Sequence, residues 1–245
     1  MNNRRARPRH MEPFGATVQP DGVLFRVWAV RASIVELVLE NQETYSMKKG
    51  ENDYFELFVP GLKAGISYGY RLDGGPVFPD PVSRFQPQGV HGPSQVVDPS
   101  TYHWGDENWK GIPQRELVFY ELHVGTFSEQ GTFAGVQEKV PYLKELGITA
   151  IQIMPLNDFP GDRNWGYDPA AMFAPPRVYG TPDELRCLID TAHQQGLVDL
   201  GIQADFREGW VLTTGLTCRD GSLARVCRCA PWCWAFIGYL TVHLG

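Results

Sequence analysis

Two different spacings of apolar residues run along this chain. Through residues 14–103 the apolar positions come in short runs rich in β-branched and aromatic side chains: VLFRVWA (23–29), SIVELVLE (33–40), YFELFVPG (54–61) and ISYGYRLDGG (66–75). In the second run Val35, Leu37 and Leu39 fall on one side and Ile34, Glu36 and Val38 on the other. That is the two-residue period of a strand. Turn residues such as KKGEND (48–53) and KAG (63–65) separate the runs. Short strands at this spacing predict an immunoglobulin-like β-sandwich over 14–103. Residues 76–104 are proline-rich and show no period. A connection of that length is uncommon inside a compact domain, so it either packs across a domain boundary or forms part of a site, and packing is the expected role.

After a linker at 104–115 the spacing changes. LVFYELHV (117–124) predicts a strand. In TFAGVQEKVPYLKELG (132–147), Phe133, Val136, Val140 and Leu143 recur at three and four residues, one face of a helix. Pro141 removes an interior hydrogen bond and predicts a kink or break, and Gly147 suits a left-handed cap. ITAIQIM (148–154) reads as a buried strand. TPDELRCLIDTAHQQG (181–196) predicts a second helix, with Thr181 as cap, Pro182 at the first helical position and Glu184 closing a capping box. Leu185, Leu188, Ile189 and Ala192 form its apolar face and Gly196 ends it. Strand, helix, strand, loop, helix predicts parallel strands with crossover helices over 116–197, and in such sheets ligands bind beyond the carboxyl ends of the strands. The next strand should follow, yet LVDLGIQADF (197–206) is interrupted by Asp199, Gly201 and Asp205. Residues 207–245 show no helix–strand alternation, so local and global signals disagree across the tail at 198–245.

Composition narrows the class. The chain is 43% hydrophobic and 20% charged with a net charge of -6, which reads as a folded protein and disfavours a nucleic-acid partner. The start, MNNRRARPRH, predicts a disordered basic tail over 1–13 rather than a secretory signal, because no apolar core follows the arginines. No run of 18 apolar residues occurs, so no membrane partner is expected, and the expected location is cytoplasmic. Nothing in the pattern sets an oligomeric state. Four of the five cysteines crowd residues 218–233, and CRCAPWC lacks the paired C-x2-4-C spacing of a zinc site. No metal or other cofactor is expected.

The chemistry-bearing stretch is PGDRNWGYDP (160–169), just past the carboxyl end of a strand. Exposed, Trp165 and Tyr167 can stack on the C–H face of a sugar while Asp158, Asp162 and Asp168 accept hydroxyl hydrogen bonds. The alternative is that Trp165 plugs the top of a core and the carboxylates face water. His123 reads as a hydrogen-bonded residue at a strand end. His193 reads as a cation favourable to the carboxyl end of its helix. No dinucleotide-binding glycine motif, phosphate loop or nucleophile elbow is present.

FYELHVGTF (119–127), TAIQIMPLNDFPGDRNWGYDP (149–169) and YGTPDELRCLIDTAHQQGL (179–197) resemble the early catalytic barrel of the α-amylase family of glycoside hydrolases. PDPVSRFQPQGVHGPSQVVDP (79–99) is similar to the branch of that family that releases trehalose from maltooligosyl-trehalose. The resemblance runs from about residue 14 to 197. It implies an N-terminal sandwich followed by the start of an incomplete (β/α)8 TIM barrel, acting on maltooligosyl-trehalose or a related α-1,4-glucan without a cofactor. Glycogen branching enzymes share the sandwich and these motifs, and a non-catalytic glucan-binding module is a further alternative. By the same resemblance Tyr167 lies beside the sugar ring next to the cleaved bond, Trp165 and Asp168 support that subsite, and His123 and Phe127 shape the bottom of the pocket. These are binding roles. The family's nucleophilic Asp and acid Glu belong to later strands and have no match here. Neither Glu208 nor Asp220 is a candidate, and no catalytic residue is assigned. The tail is expected to derive from a reading-frame slip, with a divergent natural terminus as the alternative.

Overall fold

The computed structural model describes residues 14–201. The expectations for 1–13 and 202–245, including the CRCAPWC thiols, Glu208 and Asp220, lie outside the described residues. Two compact units share the chain: 14–101 with 157–182, and 102–156 with 183–201.

The first unit is a β-sandwich. One sheet runs β1 (Gly15–Gln19), β2 (Gly22–Trp28), β6 (Tyr54–Pro60), β5 (Lys48–Lys49); the other runs β4 (Thr44–Ser46), β3 (Val35–Leu39), β7 (Ser67–Leu72), β8 (Val77–Phe78), with β9 (Ser94–Gln95) also on β7. All these pairings are antiparallel. Alternate residues point inward, as the two-residue period requires. Val23, Phe25 and Val27 from β2, Phe55 and Val59 from β6, Val35, Leu37 and Leu39 from β3, and Tyr68 and Tyr70 from β7 form the core. Lys48 and Lys49, read from sequence as part of a turn, form an edge strand instead; two lysines on an edge discourage further pairing.

The proline-rich segment packs, as expected. Asp80 is 2% exposed and gathers the inner face of β7. It accepts from the Tyr68 hydroxyl at 2.7 Å, the Tyr70 hydroxyl at 3.3 Å and the Val82 N–H at 2.9 Å, and its own N–H donates to Ser94 Oγ at 2.9 Å. Arg84 donates to the carbonyls of Val82 and Phe14 at 2.7 and 3.1 Å. Burial pushes the Asp80 carboxyl above its ordinary range, and these hydrogen bonds oppose the shift. Val96 closes the core at 2% exposure.

The second unit holds a three-stranded sheet in the order β10 (Phe119–Leu122), β11 (Ala150–Ile153), β12 (Val198–Gly201). Both pairings are parallel and in register, Phe119 to Ala150 and Ala150 to Val198. Among the described residues this sheet is not closed into a barrel. The first strand ends earlier than expected: Val124 opens a one-turn helix, α1 (Val124–Phe127). The next helical segment breaks before Pro141, giving α2 (Phe133–Glu138) and α3 (Val140–Glu145), with Lys139 between them. Thr132 Oγ1 caps α2 by accepting from the Gly135 N–H at 3.2 Å. The last helix, α4 (Pro182–Gln194), starts on its proline as predicted. Gly147 and Gly196 take positive φ, 87° and 81°, and end α3 and α4. In both, the following N–H reaches back five residues, Ile148 to Leu143 and Leu197 to Ala192, a closure that satisfies last-turn carbonyls. The interrupted segment after Gly196 does form a strand, because backbone pairing to β11 needs no particular side chain at Asp199 or Gly201. Among the described residues no helix is long and apolar enough to cross a membrane.

His193 corrects its expectation. It is 3% exposed, so it is not a surface cation at a helix end. Its Nδ1 lies 2.7 Å from Asp106 Oδ2, and its ring stacks on Trp109 at 5.0 Å and 13°. Beside it Asp190 accepts the Gly105 N–H with both oxygens, at 3.0 and 2.9 Å. Together these contacts fasten residues 102–109 to α4. Burial pushes the imidazole down to about 4, against an upward pull from Asp190, so the ring is neutral at pH 7. A folded value below the ordinary 6.5 means the unfolded chain takes up the proton first. This contribution to stability is full above pH 6.5 and is lost as the pH falls toward 4. Between pH 7.5 and pH 5 the unit should therefore lose stability. Amide exchange at Ile151 and Ile153, corrected for intrinsic rates, should show the weakening, and His193→Gln should lack it. Equal protection at the two pH values would refute the assignment.

Candidate functional site

The loop from Asn157 to Gly180 follows β11 in sequence and lies in the first unit. Its base is pinned from inside. Asp158 is fully buried and its backbone bridges to Ala171. Its N–H donates to the Ala174 carbonyl at 2.9 Å, and its Oδ1 accepts from the Phe159 N–H at 3.0 Å and the Arg177 N–H at 3.4 Å. Asn157 Nδ2 donates to the Met172 carbonyl at 2.6 Å. Burial pushes the Asp158 carboxyl up, against hydrogen bonds and the Arg177 charge. The reading of Asp158 as a hydroxyl acceptor is therefore corrected: its carboxyl is buried, and Oδ1 organises the loop.

Above that base the chain turns outward. Asn164 Oδ1 accepts from the Gly166 N–H at 2.7 Å, an Asx-type turn. Gly166 has φ of 95°, a conformation that favours glycine, and it separates the two aromatics. Tyr179 is buried, donates its hydroxyl to the Asn164 carbonyl at 3.3 Å, and meets Phe159 edge-on at 6.0 Å. Trp165 is 72% exposed and Tyr167 is 67% exposed. The expectation that Trp165 plugs a core is thereby excluded. Asp162 and Asp168 are exposed, and Asp162 also meets Arg177 Nη2 at 3.2 Å. The arrangement holds two large aromatic faces in solvent on an anchored turn, with the Asp168 carboxylate beside them in sequence. Such a surface suits a ligand that offers both an apolar face and hydroxyl donors.

His123 and Phe127 belong to the second unit, where His123 precedes α1 and Phe127 is its last residue. His123 sits at the end of β10 in extended conformation, and Thr126 Oγ1 lies 3.3 Å from its Nδ1. This agrees with a hydrogen-bonded histidine at a strand end. Phe127 packs edge-on against Tyr120 at 5.8 Å. The structure thus brings Trp165, Tyr167 and Asp168 together on one loop, and places His123 and Phe127 on another element. Sequence reasoning missed Arg177 and Tyr179, which hold the loop. The available signal was the quoted YGTPDEL motif, which Tyr179 opens and Arg177 precedes by two residues.

Residues 77–200 match the family model of the alpha amylase catalytic domain. The chain belongs to this family. A second model, carbohydrate-binding module 48 (isoamylase N-terminal domain), matches residues 13–83, the greater part of the sandwich. The α-amylase-family chain is similar to two proteins named malto-oligosyltrehalose trehalohydrolase. The one from Saccharolobus solfataricus is 44% identical over 184 residues, covering 75% of this chain and 33% of that protein. The one from Deinococcus radiodurans is 48% identical over 185 residues, covering 75% of this chain and 30% of that protein. The chain therefore spans about a third of the length of these curated relatives. A crystal structure from Salmonella typhimurium described as an alpha amylase superposes with a TM-score of 0.75 at 42% identity, over 78% of this chain and 32% of that one.

Proposed function

We propose that this chain is the glucan-facing, N-terminal portion of a malto-oligosyltrehalose trehalohydrolase, which hydrolyses the α-1,4 linkage next to the trehalose end of maltooligosyl-trehalose. The reading rests on one observation, the anchored loop that holds Trp165 and Tyr167 in solvent. Identity to the two trehalohydrolases, and the PDPVSRFQPQGVHGPS segment, favour this branch of the family over its chain-transferring members. In this reading Tyr167 lies along the sugar next to the cleaved bond, Trp165 stacks beside it, and Asp168 accepts a sugar hydroxyl. His123 and Phe127 line the family's pocket from the first strand of the barrel. These residues bind and orient. Bond cleavage in this family uses a carboxylate nucleophile and a carboxylic acid, needs no cofactor, and falls to residues with no counterpart among those described.

A glucan that stacks on the two rings loses affinity when either is truncated. Aromatic anchors of this kind carry about 2 kcal/mol or more when removed, so Trp165→Ala and Tyr167→Ala should each weaken maltohexaose or maltotriosyl-trehalose binding at least about tenfold. Asp168→Asn keeps an acceptor and should cost less. Titration calorimetry on the 245-residue chain measures all three. Unchanged affinity in both alanine variants would remove the reading.

A further inference from the structure

The sequence segment that most favours the trehalose-releasing branch, FQPQGVHGPS, does not contain the exposed aromatics. The structure shows what it touches. Its turn at 86–92 is tied from within: buried Gln86 donates from Nε2 to the carbonyls of Gly89, Val90 and Gly92 at 3.4, 3.3 and 3.3 Å. Val90 packs with Ala171 and Ala174 in one small apolar cluster, so the turn lies against the aromatic loop. Gly89, at φ of 88°, lies under the Arg177 guanidinium; a Cβ built there would sit 3.4 Å from Nε and 3.5 Å from Cζ. Arg177 is seated on this turn and grips the far limb of the loop. Its Nη1 donates to the Gly161 carbonyl at 3.2 Å, its Nη2 meets Asp162 Oδ1 at 3.2 Å, and its Nη1 stands 3.9 Å from buried Asp158. One side chain therefore joins residue 177 to residues 161–162, the point where the chain leaves for Trp165.

We propose that Arg177, seated on the 86–92 turn, is a positioning residue that sets the orientation of the Trp165–Tyr167 platform. The family-specific turn then acts on sugar recognition without touching the sugar. A guanidinium suits this role because its planar fork serves two acceptors at once while its flat face rests on a glycine; a lysine ammonium is a point donor and cannot do both. This inference rests on the reading that Trp165 and Tyr167 carry glucan.

The test uses the full chain labelled with 5-fluorotryptophan, followed by fluorine NMR with the Trp165 line assigned from Trp165→Phe. In the sugar-free protein Arg177→Ala should move the Trp165 line and leave the Trp28 and Trp109 lines in place, which a general loss of structure would not do. Its maltohexaose affinity should fall about tenfold, as small misplacement of an ordered group costs one to two decades. Arg177→Lys should recover part of the affinity. Asp162→Asn, which alters one exposed carboxylate and leaves the buried base alone, should shift the same line by less; it decides the matter if Arg177→Ala does not fold. An unmoved Trp165 line in Arg177→Ala and Asp162→Asn, with affinity at the wild-type level, overturns the proposal. If Trp165→Ala itself binds maltohexaose normally, the stacking reading fails, and the Trp165 line in the sugar-free variants alone decides whether Arg177 orients the loop.

Discussion

Asp80→Ala should strongly destabilise the sandwich and move its unfolding midpoint well below the wild-type value. The carboxylate accepts two tyrosine hydroxyls and a backbone N–H in a fully buried site, with Arg84 close by. Alanine leaves those donors without their acceptor. Each orphaned buried polar group costs about 1–3 kcal/mol, so the substitution costs on the order of 4 kcal/mol or more against a typical net stability of about 5–15 kcal/mol. Asp80→Asn keeps an oxygen for the tyrosines and removes a buried charge, so it should cost far less. Because burial raises the folded-state carboxyl above its ordinary value, the wild-type sandwich gains stability from this group as the pH falls through that raised value, the opposite sign to His193. Urea unfolding followed by near-ultraviolet circular dichroism of the buried tyrosines measures both variants. A wild-type midpoint in Asp80→Ala would show that the cluster does not hold the sandwich.

Incubated with maltotriosyl-trehalose, the 245-residue chain should release no trehalose. Retaining glycoside cleavage needs two carboxyl groups about 5–5.5 Å apart, one nucleophile and one acid with a raised pKa. The described carboxylates on the 157–180 loop have other work or no partner role. Asp158 is fully buried and bonded to the Phe159 and Arg177 backbone, Asp162 pairs with Arg177, and Asp168 is exposed on the same loop. Enzymes accelerate such reactions by about a millionfold or more, so a chain without such a pair should work no faster than the uncatalysed level. Trehalose release in proportion to added chain, above a mock-purified control, would contradict this.

The longer elements were legible because their periods are long enough to read. The runs at 23–29, 33–40, 54–61 and 66–75 became β2, β3, β6 and β7 with ends shifted by no more than three residues. The break before Pro141 and the glycine ends at 147 and 196 were legible from single-residue chemistry. Strands of two or three residues were not. Thr44–Ser46, Lys48–Lys49, Val77–Phe78 and Ser94–Gln95 carry no period and exist because a longer neighbour offers its edge. His193 was misread because helix position gives no account of what packs on the helix; Asp106 and Trp109 are more than 80 residues away in sequence. For the loop, sequence gave the residue types but not their direction. Asp158 and Asp168 are the same amino acid ten positions apart, one inside and one outside, and the difference lies in backbone contacts to Ala171, Ala174 and Arg177 that sequence does not display.

The sandwich core does not stop where the carbohydrate-binding family model stops. That model ends at residue 83, while Ser94 bonds the Asp80 backbone, β9 pairs with β7, and Val96 fills the core. The match to the catalytic-domain family begins at residue 77, inside the sandwich, so neither match boundary marks the end of the folded unit. A crossover placed at the nominal junction would hand a donor sandwich a foreign Ser94 and Val96. Functional chimeras between members of this family should therefore splice after residue 96, where the last strand and core residue of the sandwich have been supplied by one parent.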